Sequence, residues 1–336
     1  MIIYTDRYQI ELCQFGIEIP LLDQRAKRTF QELQLYFGEN KLKNIFYCGQ
    51  TFWPKEEDLL LAHKKDYVKR LLSPEFEKEA ILAYELINED GTLNRYNPSK
   101  RKFPLVKLRE KIFEQVACTI KTCELALENK FAYFLGGGMH HALPHKGRGF
   151  CLINDIVIAI RKLQNQKKVS SAWVIDLDAH KGDGTAYMTK DDQTISTLSI
   201  HMKSGWPLDD ASLKKFGKNY SALVPSNIDI PIDTLEESGY NERLKHALLH
   251  LKQHYPQPEL AIVISGSDPF EKDKLKSSSK LNLTKSQMLE RDLIVYHFLK
   301  DLEIPQAYLM AGGYGPDNWE IHFEFLKYWI NEKLYS

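Results

Sequence analysis

The sequence lacks the features that mark membrane, secreted and nucleic-acid-binding proteins. No apolar run approaches the length that spans a bilayer, and the first residues, MIIYTDRYQIEL, carry no basic region followed by a long apolar stretch. Acidic and basic residues number 45 each, so the protein has no net charge that would attract nucleic acid or a membrane. A local basic patch that binds a segment of another protein is still compatible with this balance. We therefore expect a cytoplasmic protein with no direct nucleic-acid or membrane partner.

Cysteine is scarce and follows no pattern. The five cysteines form no CxxC pair and leave an odd one over: Cys13, Cys48, Cys118, Cys123 and Cys151. Such usage is typical of a reduced, intracellular protein and disfavours a cysteine-rich zinc site. The chain also has no internal repeat and no linker rich in Pro, Gly or Ser, while its 43% hydrophobic and 27% charged residues are ordinary for a globular protein. We predict a single domain over residues 1–336.

From about residue 131 onward, short apolar runs alternate with longer helical patterns. The runs predict strands at 131–135, 172–178, 194–200, 227–232, 260–265 and 307–311, and the helical patterns lie at 154–166, 236–254, 284–302 and 317–334. The N-terminal third reads as mainly helical, notably at 56–72 and about 104–129, with an irregular loop at 86–103; a polar surface loop is expected at 272–282. This alternation predicts an α/β fold with a mainly parallel sheet covered by helices on both faces.

Polar and glycine-rich segments stand where the predicted strands end. GGGMHH follows the first strand, DLDAH closes the second and SIH the third, while SGSDP follows the fifth and AGGYG the sixth. Ligands of open α/β sheets bind at the carboxyl ends of the strands. Five segments that are distant in sequence are therefore expected to converge on one rim.

Asp178, His180 and Asp268 are the predicted metal ligands. If the second strand continues to His180, then the side chains of Asp176, Asp178 and His180 point to one face of the sheet. Burial of two carboxylates and an imidazole without a partner for their charge would be costly. Three N/O ligands that leave a position open are typical of a catalytic site, and this donor set suits Zn²⁺, with Fe²⁺ or Co²⁺ also compatible. Taken singly, Asp268 would read as a helix cap and His180 as an ordinary hydrogen-bonded histidine.

His140 and His141 follow three glycines in a loop, from which both rings can reach one pocket. Hydrolysis by a metal-activated water needs a proton acceptor for the water and a proton donor for the leaving amine. A histidine pair supplies both near neutral pH when neighbouring carboxylates tune the two rings differently. Asp176 and Asp183 are the expected partners.

Three aromatic residues complete the predicted site. Tyr314 lies between glycines that allow close approach to a ligand, and its hydroxyl is a candidate donor to a developing oxyanion. Phe150 and Trp206 are candidates for the two walls of a narrow channel, although from sequence alone plain core packing is the favoured explanation.

Together these motifs resemble the histone deacetylase family, metal-dependent enzymes of the arginase–deacetylase fold. The matching segments are GGGMHHALPHKGRGFCLINDIVIAI (136–160), VIDLDAHKGDG (174–184), ISGSDP (264–269) and AGGYG (311–315), and EEDLLLAHKKDYVKRL (56–71) resembles the N-terminal helix of the family. The resemblance extends over nearly the whole chain. The segments DAH and MLERDLIVYHFL are more similar to the class IV branch than to classes I or II.

The resemblance implies roles position by position. It implies a zinc site at Asp178, His180 and Asp268, and catalytic roles for His140, His141, Asp176, Asp183 and Tyr314. It implies a substrate channel formed by Gly149, Phe150, Cys151, Trp206 and Leu275, with the Gly149 carbonyl facing the substrate amide. It also implies a structural K⁺ held by Asp176 and by backbone oxygens of Asp178, His180, Ser199 and Ile200.

Three departures from the family pattern are visible. Lys181 stands where many members have a second histidine, a position that is not a ligand, so we expect altered tuning rather than inactivity. The segment DPFEKDKLKSSSKLN lacks the usual glycines, so the rim of the pocket is expected to differ. The acidic residue that grips the substrate backbone in class I has no identifiable counterpart within residues 86–103.

The sequence thus predicts a zinc-dependent amidohydrolase that removes acetyl or longer acyl groups from lysine side chains of proteins, with histones among the candidate substrates. His140 is the expected base and His141 the expected donor to the leaving amine. A deacylase of acetylpolyamines or other small amines is one alternative, and a catalytically weak scaffold protein is another. An arginase-type ureohydrolase is disfavoured because DAHKGD and SGSDP lack the aspartates that would hold a second metal.

Overall fold

The computed structural model describes residues 1–4, 11–19, 24–47, 49 and 53–335. Within these ranges Cys13, Cys118, Cys123 and Cys151 are free thiols, whereas Cys48 lies outside the described residues. No helix in these ranges is both long enough and apolar enough to cross a membrane.

Within the described residues, eight strands form one sheet in the order β2-β1-β3-β8-β7-β4-β5-β6. They are β1 Ile2–Ile3, β2 Phe46–Tyr47, β3 Phe131–Phe134, β4 Ala172–Asp176, β5 Ile195–Met202, β6 Ile228–Ile232, β7 Leu260–Ile264 and β8 Gln306–Leu309. Every neighbouring pair is parallel. The predicted α/β class with a parallel sheet is confirmed, and all six predicted strands are present. The two-residue strands β1 and β2 were not predicted, because so short a pair leaves no periodic signal.

Twelve α-helices surround the sheet in the described part of the chain. They are α1 Gln24–Phe37, α2 Glu39–Leu42, α3 Glu56–Leu59, α4 Lys65–Leu72, α5 Phe76–Ala83, α6 Leu108–Asn129, α7 Asp155–Asn165, α8 Asp183–Thr189, α9 Asp210–Phe216, α10 Tyr240–His254, α11 Lys285–Asp301 and α12 Trp319–Tyr335.

The two faces of the sheet are buried in two separate apolar cores. In β3, Ala132 and Phe134 belong to one core, whereas Phe131 and Tyr133 belong to the other. This alternation is the side-chain period of a strand, and burial of both faces is what a parallel sheet requires. Helices therefore cover both faces, as the continuous apolar runs predicted.

Strand β4 ends at Asp176, two residues earlier than predicted, and His180 is not part of it. Leu177 N still donates to Ile264 O of β7, but the next three backbone N–H groups donate to carboxylates: Asp178 N to Asp176 Oδ1, Ala179 N to Asp268 Oδ1 and His180 N to Asp178 Oδ1. Carboxylates thus replace strand hydrogen bonds for these groups. The premise that strand alternation aligns Asp176, Asp178 and His180 was wrong, and a loop built on carboxylates brings them together instead.

Two other segments differ from their predictions. The helix predicted at 56–72 is broken into α3 and α4, because the chain turns so that Lys64 N donates to Pro144 O and His63 Nδ1 lies 3.1 Å from Leu143 O. The polar segment 272–282 is mostly exposed, as predicted for a surface loop, and differs only in that Leu275, Ser278 and Leu281 are buried.

Candidate active site

Asp178, His180 and Asp268 form a buried cluster just beyond the carboxyl ends of β4 and β7, with one ligand atom of each within 4.8 Å of the others. His180 Nδ1 lies 2.9 Å from Asp268 Oδ2 and 3.1 Å from Asp178 Oδ1. Asp268 Oδ2 is buried and accepts no hydrogen bond despite its closeness to the ring. A buried carboxylate oxygen without a hydrogen-bond partner, beside a second carboxylate and an imidazole, fits a shared cation, so this donor set fits a divalent metal with N/O ligands.

The electrostatics of the cluster also favour a cation. Burial raises the pKa of Asp268 to about 7, and the charge of Asp178 adds to the shift. Burial opposes ionisation of Asp178 too, but His140 and His180 outweigh it and hold its pKa below the ordinary value. For His180, burial lowers the pKa, while the two carboxylates outweigh burial and raise it to about 10. Two buried carboxylates therefore compete for positive charge, which a divalent ion supplies better than a proton.

Two glycines allow the ligands to approach this closely. A Cβ built on Gly266 or on Gly312 would overlap Asp178 Oδ2, and a Cβ on Gly312 would also lie 3.0 Å from Asp268 Oδ2. The N–H of Gly312 donates to Asp178 Oδ2 at 3.1 Å. The glycines of SGSDP and AGGYG therefore make room for the ligand carboxylates.

The two histidines of GGGMHH lie side by side, with ring centroids 3.9 Å apart. His140 Nδ1 is 2.7 Å from Asp176 Oδ2, and His141 Nδ1 is 2.6 Å from Asp183 Oδ1. Each ring thus has the carboxylate partner that the sequence predicted for it. These bonds fix the orientation of both rings and leave each Nε2 directed away from its carboxylate.

The two rings bind protons with very different affinity. Burial lowers the pKa of His140, but Asp176 and Asp178 outweigh it and raise that pKa to about 9. Burial and the neighbouring charge of His140 lower the pKa of His141 to about 3, against the pull of Asp183. Before a metal ion binds, His140 therefore favours the imidazolium form and His141 the neutral imidazole. A divalent ion on Asp178 would weaken part of the attraction that raises the pKa of His140.

A residue that the sequence reasoning missed holds the histidine loop in place. The buried carboxylate of Asp155 accepts hydrogen bonds from Gly138 N at 2.9 Å and Met139 N at 2.7 Å. Thr119 Oγ1 donates to the same carboxylate at 2.6 Å. Asp155 is the first residue of α7, and folding brings its carboxylate against the backbone of the glycine-rich loop. The spacing of residues in the sequence does not reveal this contact.

Tyr314 and the channel aromatics surround the two histidines. Burial and the carboxylates of Asp268 and Asp178 raise the pKa of Tyr314 well above its ordinary value, so its phenol stays protonated and can donate a hydrogen bond. The Phe150 ring lies 6.1 Å from the Tyr314 ring, and the Trp206 ring lies 4.6 Å from the His141 ring.

Two neighbouring cavities share lining residues here; we call the one that reaches the exposed Glu85 the outer cavity and the one that reaches the buried Arg25 the inner cavity. The outer cavity has a volume of about 110 Å³ and is lined by Glu85, Arg95, His141, Gly149, Phe150, His180, Trp206, Leu275, Ser277 and Tyr314. The inner cavity, of about 140 Å³, shares several of these residues and extends past Cys151 and Gly136–Gly138 to Arg25. Of the predicted channel residues, Gly149, Phe150, Trp206 and Leu275 line the outer cavity, whereas Cys151 lines the inner one.

Asp176 and Ser199 are paired in adjacent strands, in the register of β4 with β5. The Ser199 hydroxyl is buried and has no hydrogen-bond partner, and Asp176 Oδ1 accepts from the backbone N–H of Asp178. An unpartnered oxygen beside a carboxylate is compatible with the predicted K⁺.

Lys181 points away from the ligand cluster. Its ammonium is buried and lies 2.9 Å from Asp229 Oδ2 in β6. The lysine that replaces the usual second histidine therefore forms an ion pair with β6, which lies two strands from β4 in the sheet.

Two further polar side chains support the predicted residues and carried no signal in the sequence. Ser277 Oγ, from the polar segment 272–282, lies 3.2 Å from His180 Nε2. Arg148 Nη1 donates to Asp183 Oδ2 at 2.8 Å. Asp183 is thereby shared by His141 and Arg148.

Within the described ranges only one cluster of three candidate metal ligands is found. A single cluster disfavours the arginase alternative, which needs two metal ions.

Comparison with known proteins identifies relatives across most of the chain. A family model described as the histone deacetylase domain matches residues 20–325. An uncharacterized protein of Picosynechococcus sp. is 34% identical over 200 residues, which are 59% of this chain and 61% of that protein. Histone deacetylase 2 of Arabidopsis thaliana is 29% identical over 216 residues, covering 63% and 52% respectively. The acetoin utilization protein AcuC of Bacillus subtilis is 27% identical over 330 residues, covering 95% and 78%.

A crystal structure of an HDAC homolog complexed with SAHA superposes with a TM-score of 0.70 at 22% identity, covering 98% of this chain and 83% of that one. This likeness shows the arginase–deacetylase fold. The chain spans about three fifths of the length of the cyanobacterial relative and about half of the Arabidopsis one. The match of the family model over residues 20–325 shows that this chain belongs to the histone deacetylase family.

Proposed function

We propose that this protein hydrolyses the amide of acylated lysine side chains, with acetyl or a longer acyl group, to a carboxylate and a free amine. The observation that carries the proposal is the meeting of three elements at one point: the Asp178–His180–Asp268 cluster, the two histidines with different proton affinity, and the junction of an outer and an inner cavity. The outer cavity suits the aliphatic stem of lysine, and the inner cavity suits the acyl group.

Asp178, His180 and Asp268 would hold Zn²⁺, with Fe²⁺ as the alternative that the same donors accept. When bound, such an ion would lower the pKa of water and polarise the substrate carbonyl. Asp176 and the Ser199–Ile200 backbone, together with the backbone oxygens of Asp178 and His180, would hold a structural K⁺.

The protonation states favour a revised assignment of the two histidines. His141, neutral at pH 7, is the ring able to take a proton from water as the water oxygen bonds to the acyl carbon. The charge of His140, 3.9 Å away, makes the resulting imidazolium a strong acid. His141 then returns the proton to the nitrogen as the C–N bond breaks. In this assignment His140 acts through its charge, whereas the sequence led us to expect it to be the base.

Tyr314 would donate its hydroxyl hydrogen bond to the oxygen of the tetrahedral intermediate. Its raised pKa supports this role, because a phenol that remains protonated is a donor throughout the neutral range. Removal of one such donor typically costs about 10²–10³ in kcat.

The aromatic walls support a lysine side chain as the substrate rather than a bulky amine. Phe150 and Trp206 both line the outer cavity, where flat rings would contact an aliphatic stem and exclude water. The HDAC homolog is complexed with SAHA, so we also expect a hydroxamate of this kind to bind here.

The test is amide cleavage by the zinc-loaded protein across an acyl-lysine peptide series from acetyl to myristoyl, with an acetylated polyamine in parallel. We expect cleavage of at least one peptide, inhibition by the hydroxamate, and a loss of about 10²–10³ in kcat for Tyr314→Phe. Tyr328→Phe, a half-exposed tyrosine on α12, is the matched control and should retain the full rate. Cleavage of the polyamine alone would replace the protein substrate by a small amine, and no cleavage at all would favour the scaffold alternative.

A further inference from the structure

Arg148 connects three parts of the site that the sequence places far apart. Its Nη1 donates to Asp183 Oδ2 at 2.8 Å, on the side of the carboxylate opposite to His141. Its guanidinium carbon lies 5.0 Å from the centre of the Trp206 ring. Its Nη2 donates to the hydroxyl of Tyr220, whose ring lies 5.1 Å from the guanidinium carbon.

The charge balance at Asp183 depends on this arginine. Asp183 is fully buried, and burial opposes its ionisation, yet Arg148 and His141 together hold its pKa below the ordinary value. One carboxylate oxygen is used by each partner. Without Arg148, the oxygen that it now contacts would be a buried anionic group with no partner, an unfavourable state that the carboxylate would relieve by rotation or by taking up a proton.

The channel wall depends on the same side chain. A guanidinium over an indole face is held by cation–π attraction and planar stacking, which an ammonium reproduces poorly. Trp206 in turn lies edge-on to His141, with centroids 4.6 Å apart. Arg148 therefore touches both the carboxylate that orients His141 and the ring that lies against it.

We infer that Arg148 is a positioning residue, which keeps Asp183 aligned on His141 Nδ1 and holds Trp206 in place as a wall of the outer cavity. This inference rests on the proposed deacylase function. Arg148 need not contact the substrate to act in this way, and its effect is exerted through Asp183 and Trp206.

A purely structural arginine would give a different result from a positioning one. Arg161 is the matched control, because it is also partly buried and also links two segments, donating to Leu61 O between α3 and α4 and to Met188 O in α8, but it has no described contact with the site. Arg148→Met should lower kcat at least about tenfold, a fraction of what general acid–base catalysis contributes, and raise KM about threefold. Arg148→Lys, which keeps the charge beside Asp183, should recover kcat to within about threefold of the unmodified protein while KM stays raised.

Arg161→Met should change both parameters less than about twofold. A kcat of Arg148→Met within twofold of the unmodified protein overturns the inference, and so does an equal loss in Arg161→Met or a failure of Arg148→Lys to recover kcat. If Arg148→Met does not fold, Arg148→Gln, which leaves a neutral donor near Asp183, is measured against the same limits.

A second measurement does not depend on turnover. In zinc-loaded protein labelled with ¹⁵N-histidine, the proton on His141 Nδ1 is identified as the hydrogen-bonded resonance that disappears in Asp183→Asn. We expect Arg148→Met to shift or broaden this resonance and to leave the corresponding His140 resonance, which depends on Asp176, in place. An unchanged His141 resonance overturns the inference. If no substrate of the series is cleaved, the proposed function fails, but this spectrum still decides the role of Arg148.

Discussion

Gly312→Ala is expected to disable the ligand cluster by steric displacement alone. The backbone of Gly312 lies outside the left-handed region, so alanine can adopt its conformation without strain. The new Cβ, however, would overlap Asp178 Oδ2 and lie 3.0 Å from Asp268 Oδ2. To restore ordinary van der Waals contact, Asp178 must move by about 1 Å.

A shift of this size is large for a metal site. Ligand distances are held to within about 0.2 Å, and disturbing even a partner of a ligand costs about 10–100-fold in affinity. Here one ligand moves directly and also loses the 3.1 Å hydrogen bond from Gly312 N. We therefore expect zinc affinity to fall at least about 100-fold, which corresponds to about 2.7 kcal/mol.

The assay is zinc transfer to a chromophoric chelator of known affinity, followed at equilibrium. Gly239→Ala is the matched control, since a Cβ at that position meets nothing within 4 Å and its φ is −90°. Thermal unfolding of both variants in chelator separates a loss of metal binding from a loss of folding. Zinc affinity within threefold of the unmodified protein in Gly312→Ala would refute the assignment of Asp178 as a ligand.

Three further outcomes follow from individual contacts. Ser277→Ala removes the partner of His180 Nε2, so zinc affinity should fall about tenfold in the same chelator assay, whereas Ser279→Ala, an exposed neighbour, should leave it unchanged. Lys181→Met removes the ion pair of Lys181 with Asp229 and should lower the free energy of unfolding, measured in urea, by about 1–3 kcal/mol. Its zinc affinity should stay within threefold of that of the unmodified protein. A loss of zinc binding would contradict the placement of Lys181 away from the metal. Burial lowers the pKa of His63 from its ordinary 6.5 to about 4. As the pH falls, the unfolded chain therefore takes up a proton at this histidine before the folded chain does. The free energy of unfolding should fall by about 3 kcal/mol as the pH is lowered from 6.5 to 4. His63→Gln should remove this part of the pH dependence, and an identical slope in both proteins would show that His63 does not cause it.

The fold followed from the sequence where the signal was local. Each long strand is an apolar run bounded by polar residues, and the two buried faces of β3, β4 and β7 made those runs continuous, which is the pattern of a parallel sheet. The end of β4 could not be read in this way. Asp178 and His180 continue the pattern in sequence, but Asp176, Asp178 and Asp268 take their backbone hydrogen bonds and end the strand.

The candidate ligands and histidines followed from residue type and position at the strand ends. Their partners did not, because those partners come from elsewhere in the chain. Ser277 is 97 residues from His180, and Arg148 is 35 residues from Asp183. A serine in a lysine-rich segment and an arginine between glycines have no distinctive spacing, so no local pattern distinguishes them from surface residues.

The sequence by itself determined the class of fold, the strand ends at which the candidate site residues lie, and the kinds of side chain placed there, because these depend on periodicity and residue type within short windows. Only the tertiary structure decided which atoms meet. Burial and the sum of neighbouring charges set the pKa of His140 near 9 and that of His141 near 3, although the two residues are identical and adjacent in the chain. That difference arises because Asp176 and Asp178 outweigh burial at His140, whereas burial and the charge of His140 outweigh Asp183 at His141. The parallel sheet and the loop after β4 bring these carboxylates to the two rings from different directions.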